Sequence, residues 1–85
     1  MELDPSDITP AINRLKRAQG QLAAVIRMAE EGKECKDVVT QLSAVSKALD
    51  RAGFLIVASG LEQCFKNPDE AMDKKEMEKL FLSLA

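Results

Sequence analysis

Apolar residues recur along this chain at steps of three and four. Ile8, Ala11, Leu15, Ala18, Leu22, Val25 and Ala29 follow that rhythm, and Ile12 and Ile26 widen the stripe. Such spacing gathers side chains on one side of a 3.6-residue turn, so it predicts a first helix with a coiled-coil-like face. Ser6 or Thr9 is the expected N-cap, and Pro10 fits the first turn, where its missing N–H has no partner to lose. Gly32, after Glu31, is the expected stop because glycine takes the left-handed C-terminal conformation without strain. A second stripe of Val38, Leu42, Val45, Leu49, Ala52 and Ile56 predicts a long helix from about Glu34 to Lys66, with Cys35 on the same stripe. Gly53 and Gly60 are its weak points, each costing about 1 kcal/mol relative to Ala when exposed, and they mark a bend or a close backbone approach. Asn67-Pro68 is read as a cap and first-turn proline, with Asp69 and Glu70 at the positive end of the helix dipole. The short third helix that follows carries Met77, Leu80, Phe81 and Leu84 on one face, which is expected to dock on the bundle or on a neighbouring chain.

The fold class expected from this pattern is all-α, a three-helix protomer with a long second helix, forming one domain over residues 1–85. A chain of 85 residues has only a thin core, so burial between copies is the natural supplement. No apolar run approaches the length that crosses a bilayer, and the acidic start MELDPSD does not resemble a secretory signal. The expectation is a cytoplasmic protein with no membrane partner.

There is no histidine in the sequence, and its two cysteines, Cys35 and Cys64, stand 29 positions apart. On one helix that separation is roughly 44 Å, whereas a disulfide needs Cα atoms about 4.4–6.8 Å apart. The pair cannot close within a protomer. It can close between two antiparallel helices, Cys35 of one facing Cys64 of the other. Cys35, near a helix N-terminus between Lys33 and Lys36, has the setting of a nucleophile, although Glu34 and Asp37 oppose it; Cys64, near the other end, suits a resolving thiol. The bland alternative is that both cysteines are small buried apolar residues. Two thiolates also suit a soft ion such as Cu(I). Yet no imidazole completes a three-coordinate site, and a closed zinc site needs two further ligands. No cofactor and no metal site are expected, and without a histidine base or a phosphate-cradling glycine loop neither is an enzyme.

Net charge is −2, which by itself argues against a general polyanion binder. Its distribution changes the picture. Between Ile8 and Ala29 the chain carries Arg14, Lys16, Arg17 and Arg27 and no acid, while beyond Ala52 six acids face four lysines. Arg14 and Arg17 are one turn apart, and Lys47 and Arg51 form a second pair on the second helix. Repeated in an oligomer, these pairs present a basic face to phosphates; the competing interpretation is an ordinary solvated helix surface. No helix-turn-helix, zinc finger or aromatic stacking platform accompanies them.

Arg14-Leu15-Lys16-Arg17-Ala18-Gln19-Gly20-Gln21-Leu22, then Met28 to Cys35, Thr40 to Val45 and Ala48-Leu49-Asp50, resemble the copper-sensing operon repressor (CsoR) family, which includes RcnR- and FrmR-like proteins. The likeness runs from about Ile8 to Phe65 and includes a second cysteine 29 residues after the first. It implies a dimer of dimers, a homotetramer that represses transcription and leaves operator double-stranded DNA when a ligand or modification reaches the interface cysteine. Arg14, Lys16, Arg17, Lys47 and Arg51 are the DNA-contacting candidates it points to. One departure narrows the expectation. Copper sensors of this family carry a histidine four residues before the second cysteine, and Gly60 stands there. Nickel and cobalt sensors also use histidines, and formaldehyde sensors use a proline where Glu2 stands. What remains resembles the CsoR-like sulfurtransferase repressor (CstR) branch. It implies a sensor of persulfide or polysulfide whose redox-active residues are Cys35 and Cys64 of the partner chain and which derepresses sulfur-detoxification genes. The alternative within the family is a Cu(I)-responsive repressor using thiolates only.

Overall fold

The computed structural model describes residues 2–66 and 74–84, the side chains of Cys64 and Phe65 excepted. A 3₁₀ turn over Pro5–Ile8 leads into helix α1, Thr9–Glu30, followed by α2, Cys35–Lys66, and α3, Lys74–Leu84. Among the described residues there is no strand. The segment expected to hold the Asn67-Pro68 cap with Asp69 and Glu70 lies outside the described residues.

The chain entry differs from the expected capping. Asp4 caps the 3₁₀ turn, its carboxylate accepting from the Ser6 hydroxyl at 2.8 Å and the Ser6 N–H at 3.0 Å. Those two hydrogen bonds hold the Asp4 carboxyl below its ordinary pKa. Because the turn runs directly into α1, Thr9 has no free helix start to cap. Its hydroxyl instead bonds back to the carbonyls of Pro5 and Ser6, each at 3.4 Å. At the other end of α1 the sequence expectation holds. Gly32 has φ +69°, its N–H reaches the Ala29 carbonyl at 3.2 Å, and the Lys33 N–H reaches that of Met28 at 3.0 Å. This pair of bonds is a Schellman stop, which lets α2 turn back along α1 within four residues.

The stripes on α1 and α2 divide between two surfaces. Ala11, Ala18 and Val25 of α1 are buried with Val45, Ala52 and Ser59 of α2, and these rows are built mainly of small residues at sevenfold spacing. Leu15, Leu22 and Ile26, together with Leu42 and Leu49, belong to the same sequence stripes yet remain 38–51 % exposed. Small side chains let the two helices approach closely, with Ala18 at 1 % and Ala52 at 0 % exposure. Ala52→Leu is therefore expected to lower stability by about 1–3 kcal/mol through overpacking. Chemical denaturation checks this, and a midpoint equal to that of the parent would contradict so tight an approach.

Helix α3 folds back on the second half of α2. Met77 is buried, Phe81 lies 5.4 Å from Phe54 between ring centroids, and Leu84 occupies the place where a Gly53 side chain would be. A Cβ on Gly53 would stand 2.9 Å from both Leu84 methyl carbons, so this glycine marks a close approach. The principal extents are 52 × 24 × 13 Å. A helix with its side chains is about 10–12 Å across, so the protomer is a slab one helix thick. Its accessible surface, 6577 Å², exceeds the roughly 5,000 Å² of a compact monomer of this mass. A slab of this kind leaves large leucines uncovered because it has no second layer.

Candidate nucleic-acid interface and thiol sensor

Two faces of the α1–α2 hairpin carry different chemistry. On one face, Arg14 and Arg17 of α1 stand opposite Lys47 and Arg51 of α2 across a groove of about 670 Å³. Helical repeat explains the grouping: residues three and four apart share a face, so Pro10, Arg14, Arg17 and Gln21 form one wall. Ala44, Lys47, Ala48 and Arg51 form the other, and the two alanines keep the groove open between the cationic arms. No acidic residue lines it, and none of the four cations is held in an ion pair among the described residues. Arg14, Arg17, Lys47 and Arg51 thus come together in one groove, where the sequence showed two separate pairs on two helices.

Lys16 does not join them. Two residues from Arg14 it is rotated by about 200° around α1, and it is absent from the groove wall. Asn13 and Gln21 do line the groove, and charge counting overlooked both. Their signal was the three-and-four step from Arg14 and Arg17. Neutral amides between guanidiniums add donors and acceptors suited to phosphate oxygens and base edges.

Cys35 is the first residue of α2 and is exposed. The carbonyl of Glu34 takes the N–H groups of Asp37 and Val38 at 3.0 and 3.1 Å, so the cysteine stands in the first open turn of the helix. The backbone of Cys64 lies in the penultimate stretch of the same unbroken helix, while its side chain is outside the described residues. One rigid helix therefore keeps the two cysteines at opposite ends, roughly 44 Å apart. Gly60 is buried and brings no donor atom. Among the described residues no three His, Cys, Asp or Glu side chains cluster as a metal site. A nitrogen-ligated divalent ion does not fit this donor set. The residues that remain for a soft metal are the two thiols alone.

The sequence profile of metal-sensitive transcriptional repressors matches residues 7–83. The chain belongs to this family. Such repressors are transcription factors, not enzymes. Within the repressor family, the copper-sensing transcriptional repressor CsoR of Mycobacterium ulcerans is 49 % identical over 55 residues, which are 65 % of this chain and 47 % of that protein. The copper-sensing repressor RicR of Mycobacterium tuberculosis is 43 % identical over 51 residues, covering 60 % of this chain and 53 % of its own. The uncharacterized Bacillus subtilis protein YrkD is 49 % identical over 49 residues, 58 % of this chain and 73 % of that one. The chain spans about half the length of the curated CsoR relatives it matches. No helix among the described residues is long and apolar enough to cross a membrane.

Proposed function

We propose that this chain is a cytoplasmic transcriptional repressor that grips operator duplex DNA with the Arg14–Arg17–Lys47–Arg51 groove and lets go when reactive sulfur joins Cys35 to Cys64 of a second copy. The single observation that carries the DNA reading is the convergence of four cations from two helices in one groove, with no acid in its walls and no ion pair to them among the described residues. Phosphates are the ligand such a groove suits, and release of their counterions supplies the affinity.

The opposite face of the hairpin calls for a second copy. A slab 13 Å thick with Leu15, Leu22, Ile26, Leu42 and Leu49 uncovered is one layer of a two-layer helical bundle. Two slabs packed antiparallel bury that face on both sides, as an isologous dimer does. If Cys35 faces Cys64 of the partner subunit, opposing α2 residues have numbers that sum to 99. Leu49 then falls beside the twofold axis and Leu42 opposes Val57. One register thus closes the apolar face and brings the thiols together. Two such dimers give the tetramer that the family resemblance implies.

The inducer follows from the donors present. The thiolate of Cys35 attacks the outer sulfur of a persulfide, takes that sulfane sulfur and releases the donor as a thiolate. Cys64 of the partner subunit then attacks the Cys35 Sγ, forming a disulfide and expelling hydrosulfide. Two thiols are oxidised and one sulfane sulfur is reduced to sulfide, so no outside oxidant is required. A polysulfide that delivers two sulfur atoms to Cys35 leaves one of them in the bridge: Cys64 attacks the sulfur bonded to the Cys35 Sγ, the terminal sulfur departs as hydrosulfide, and a trisulfide results. Either bridge ties two antiparallel helices at both ends and shifts the spacing of the grooves on opposite subunits.

A second reading has support in the names of the relatives, which are copper sensors. In it the same two thiolates hold Cu(I) in a two-coordinate bridge. Parallel treatment of the intact chain with polysulfide, peroxide and Cu(I), followed by mass spectrometry and non-reducing gels, separates the two. Polysulfide is expected to give a covalent dimer that releases operator DNA and that is missing from both Cys35→Ser and Cys64→Ser. A wild-type protein that stays monomeric on the gel after polysulfide, but competes with bicinchoninate for Cu(I) and leaves DNA when loaded, would transfer the assignment to copper.

A further inference from the structure

The basic groove does not end at Arg51. A second cavity of about 500 Å³ shares Arg14 and Arg51 with it and is otherwise walled by Phe54, Leu55 and Ala58. Its chemistry is different, for the three added walls are apolar. Phe54 is 38 % exposed, and its ring is not loose: Phe81 of α3 packs behind it at 5.4 Å with the planes tilted by 52°. Helix α3 is in turn anchored by buried Met77 and by Leu84 over Gly53. An aromatic edge is therefore held in place directly beside two guanidiniums.

Four cations on phosphates hold any duplex, because phosphate contacts carry no sequence information. Discrimination needs a surface that touches base edges. In the major groove the 5-methyl of thymine is the apolar group a base edge offers, and it is met by apolar side chains such as Ala and Phe. We propose that Phe54, with Leu55 and Ala58, is a base-reading wall that packs on thymine methyl groups next to the phosphates held by Arg14 and Arg51. This inference rests on the groove being a DNA interface. Phe81 is a positioning residue for Phe54 and touches no DNA.

The test uses the intact chain and duplexes selected by it from a random library. Each thymine of a selected duplex is replaced in turn by uracil, which removes only the methyl, and affinity is measured by anisotropy at fixed salt. Binding is expected to weaken about fourfold at each position the wall touches. In Phe54→Ala that uracil penalty should vanish while the salt dependence stays that of the parent, since every cation that meets a phosphate is still present. Phe81→Ala should shrink the penalty with the same salt dependence. If Phe54→Ala does not fold, as judged by circular dichroism, Ala58→Gln places a polar side chain on an exposed helix position of the same wall and should remove the penalty likewise. Uracil tolerated at every position, or a penalty that survives in Phe54→Ala or Ala58→Gln, overturns the inference and leaves the DNA interface standing. A wild-type protein that selects no duplex at all removes the interface itself.

Discussion

Arg14→Ala combined with Arg51→Ala is expected to weaken binding to DNA from upstream of the protein's own gene by about 10²–10³-fold at physiological salt, with Lys16→Ala changing it by less than about threefold. The contrast comes from placement, since all three residues carry the same charge. Arg14 and Arg51 stand on opposite walls of one groove and are the two residues common to both of its cavities. Lys16 projects from another side of α1. Every phosphate that a variant no longer neutralises takes about 0.9 from the slope of log affinity against log salt, and in a dimer each substitution frees two phosphates. The double variant should therefore show a slope shallower by about 3–4, whereas Lys16→Ala should keep the parental slope. Electrophoretic mobility shift at several salt concentrations gives both quantities. A double variant that retains the parental slope would mean that the groove does not meet phosphates, whatever its absolute affinity.

The amount of this arrangement legible in the sequence depended on what period alone can specify. The steps of three and four located α1 and α2 to within a residue or so, and Gly32 marked the turn between them because a left-handed stop has few substitutes. Period does not say which row of a wide stripe meets which neighbour. That division lay in side-chain size: Ala11, Ala18 and Val25, like Val45, Ala52 and Ser59, repeat every seven residues beside the larger Leu15, Leu22 and Leu42, Leu49 rows. Small rows permit close approach and so meet within the chain, while large rows extend past that seam and stay uncovered in the protomer. The same limit applies to the cations. Arg14 with Arg17 and Lys47 with Arg51 were visible as pairs on separate helices, but their shared groove depends on the relative rotation of α1 and α2, which no single-helix pattern encodes. Phe54 was invisible for a related reason. Its importance arises from α3 folding back to place Phe81 behind it, a pairing of residues 27 positions apart.

Leu42→Lys with Leu49→Lys should have the second large effect, converting the protein to a 9.3-kDa monomer and removing DNA binding although no groove residue has changed. In the proposed antiparallel register Leu49 lies beside the twofold axis, so the substitution would set two ammonium groups against each other; Leu42→Lys would add two more against the second copy's apolar surface. An isologous interface counts every change twice. Fully burying one leucine is worth about 1.5–3 kcal/mol, and roughly half of each side chain here awaits cover. Removal of that burial at four positions, together with the cost of desolvating lysines, should raise the dissociation constant by about 10³-fold or more. Sedimentation velocity reads the assembly directly. The same variant keeps Cys35 and Cys64 and should nevertheless form no covalent dimer with polysulfide, because separated subunits leave the thiols at opposite ends of one rigid helix. If it still sediments as an oligomer, the Leu42–Leu49 face is not the interface. If instead it is monomeric and yet crosslinks at the parental rate, the thiols meet by random encounter, and bridging cannot be the event that resets the spacing of the DNA grooves.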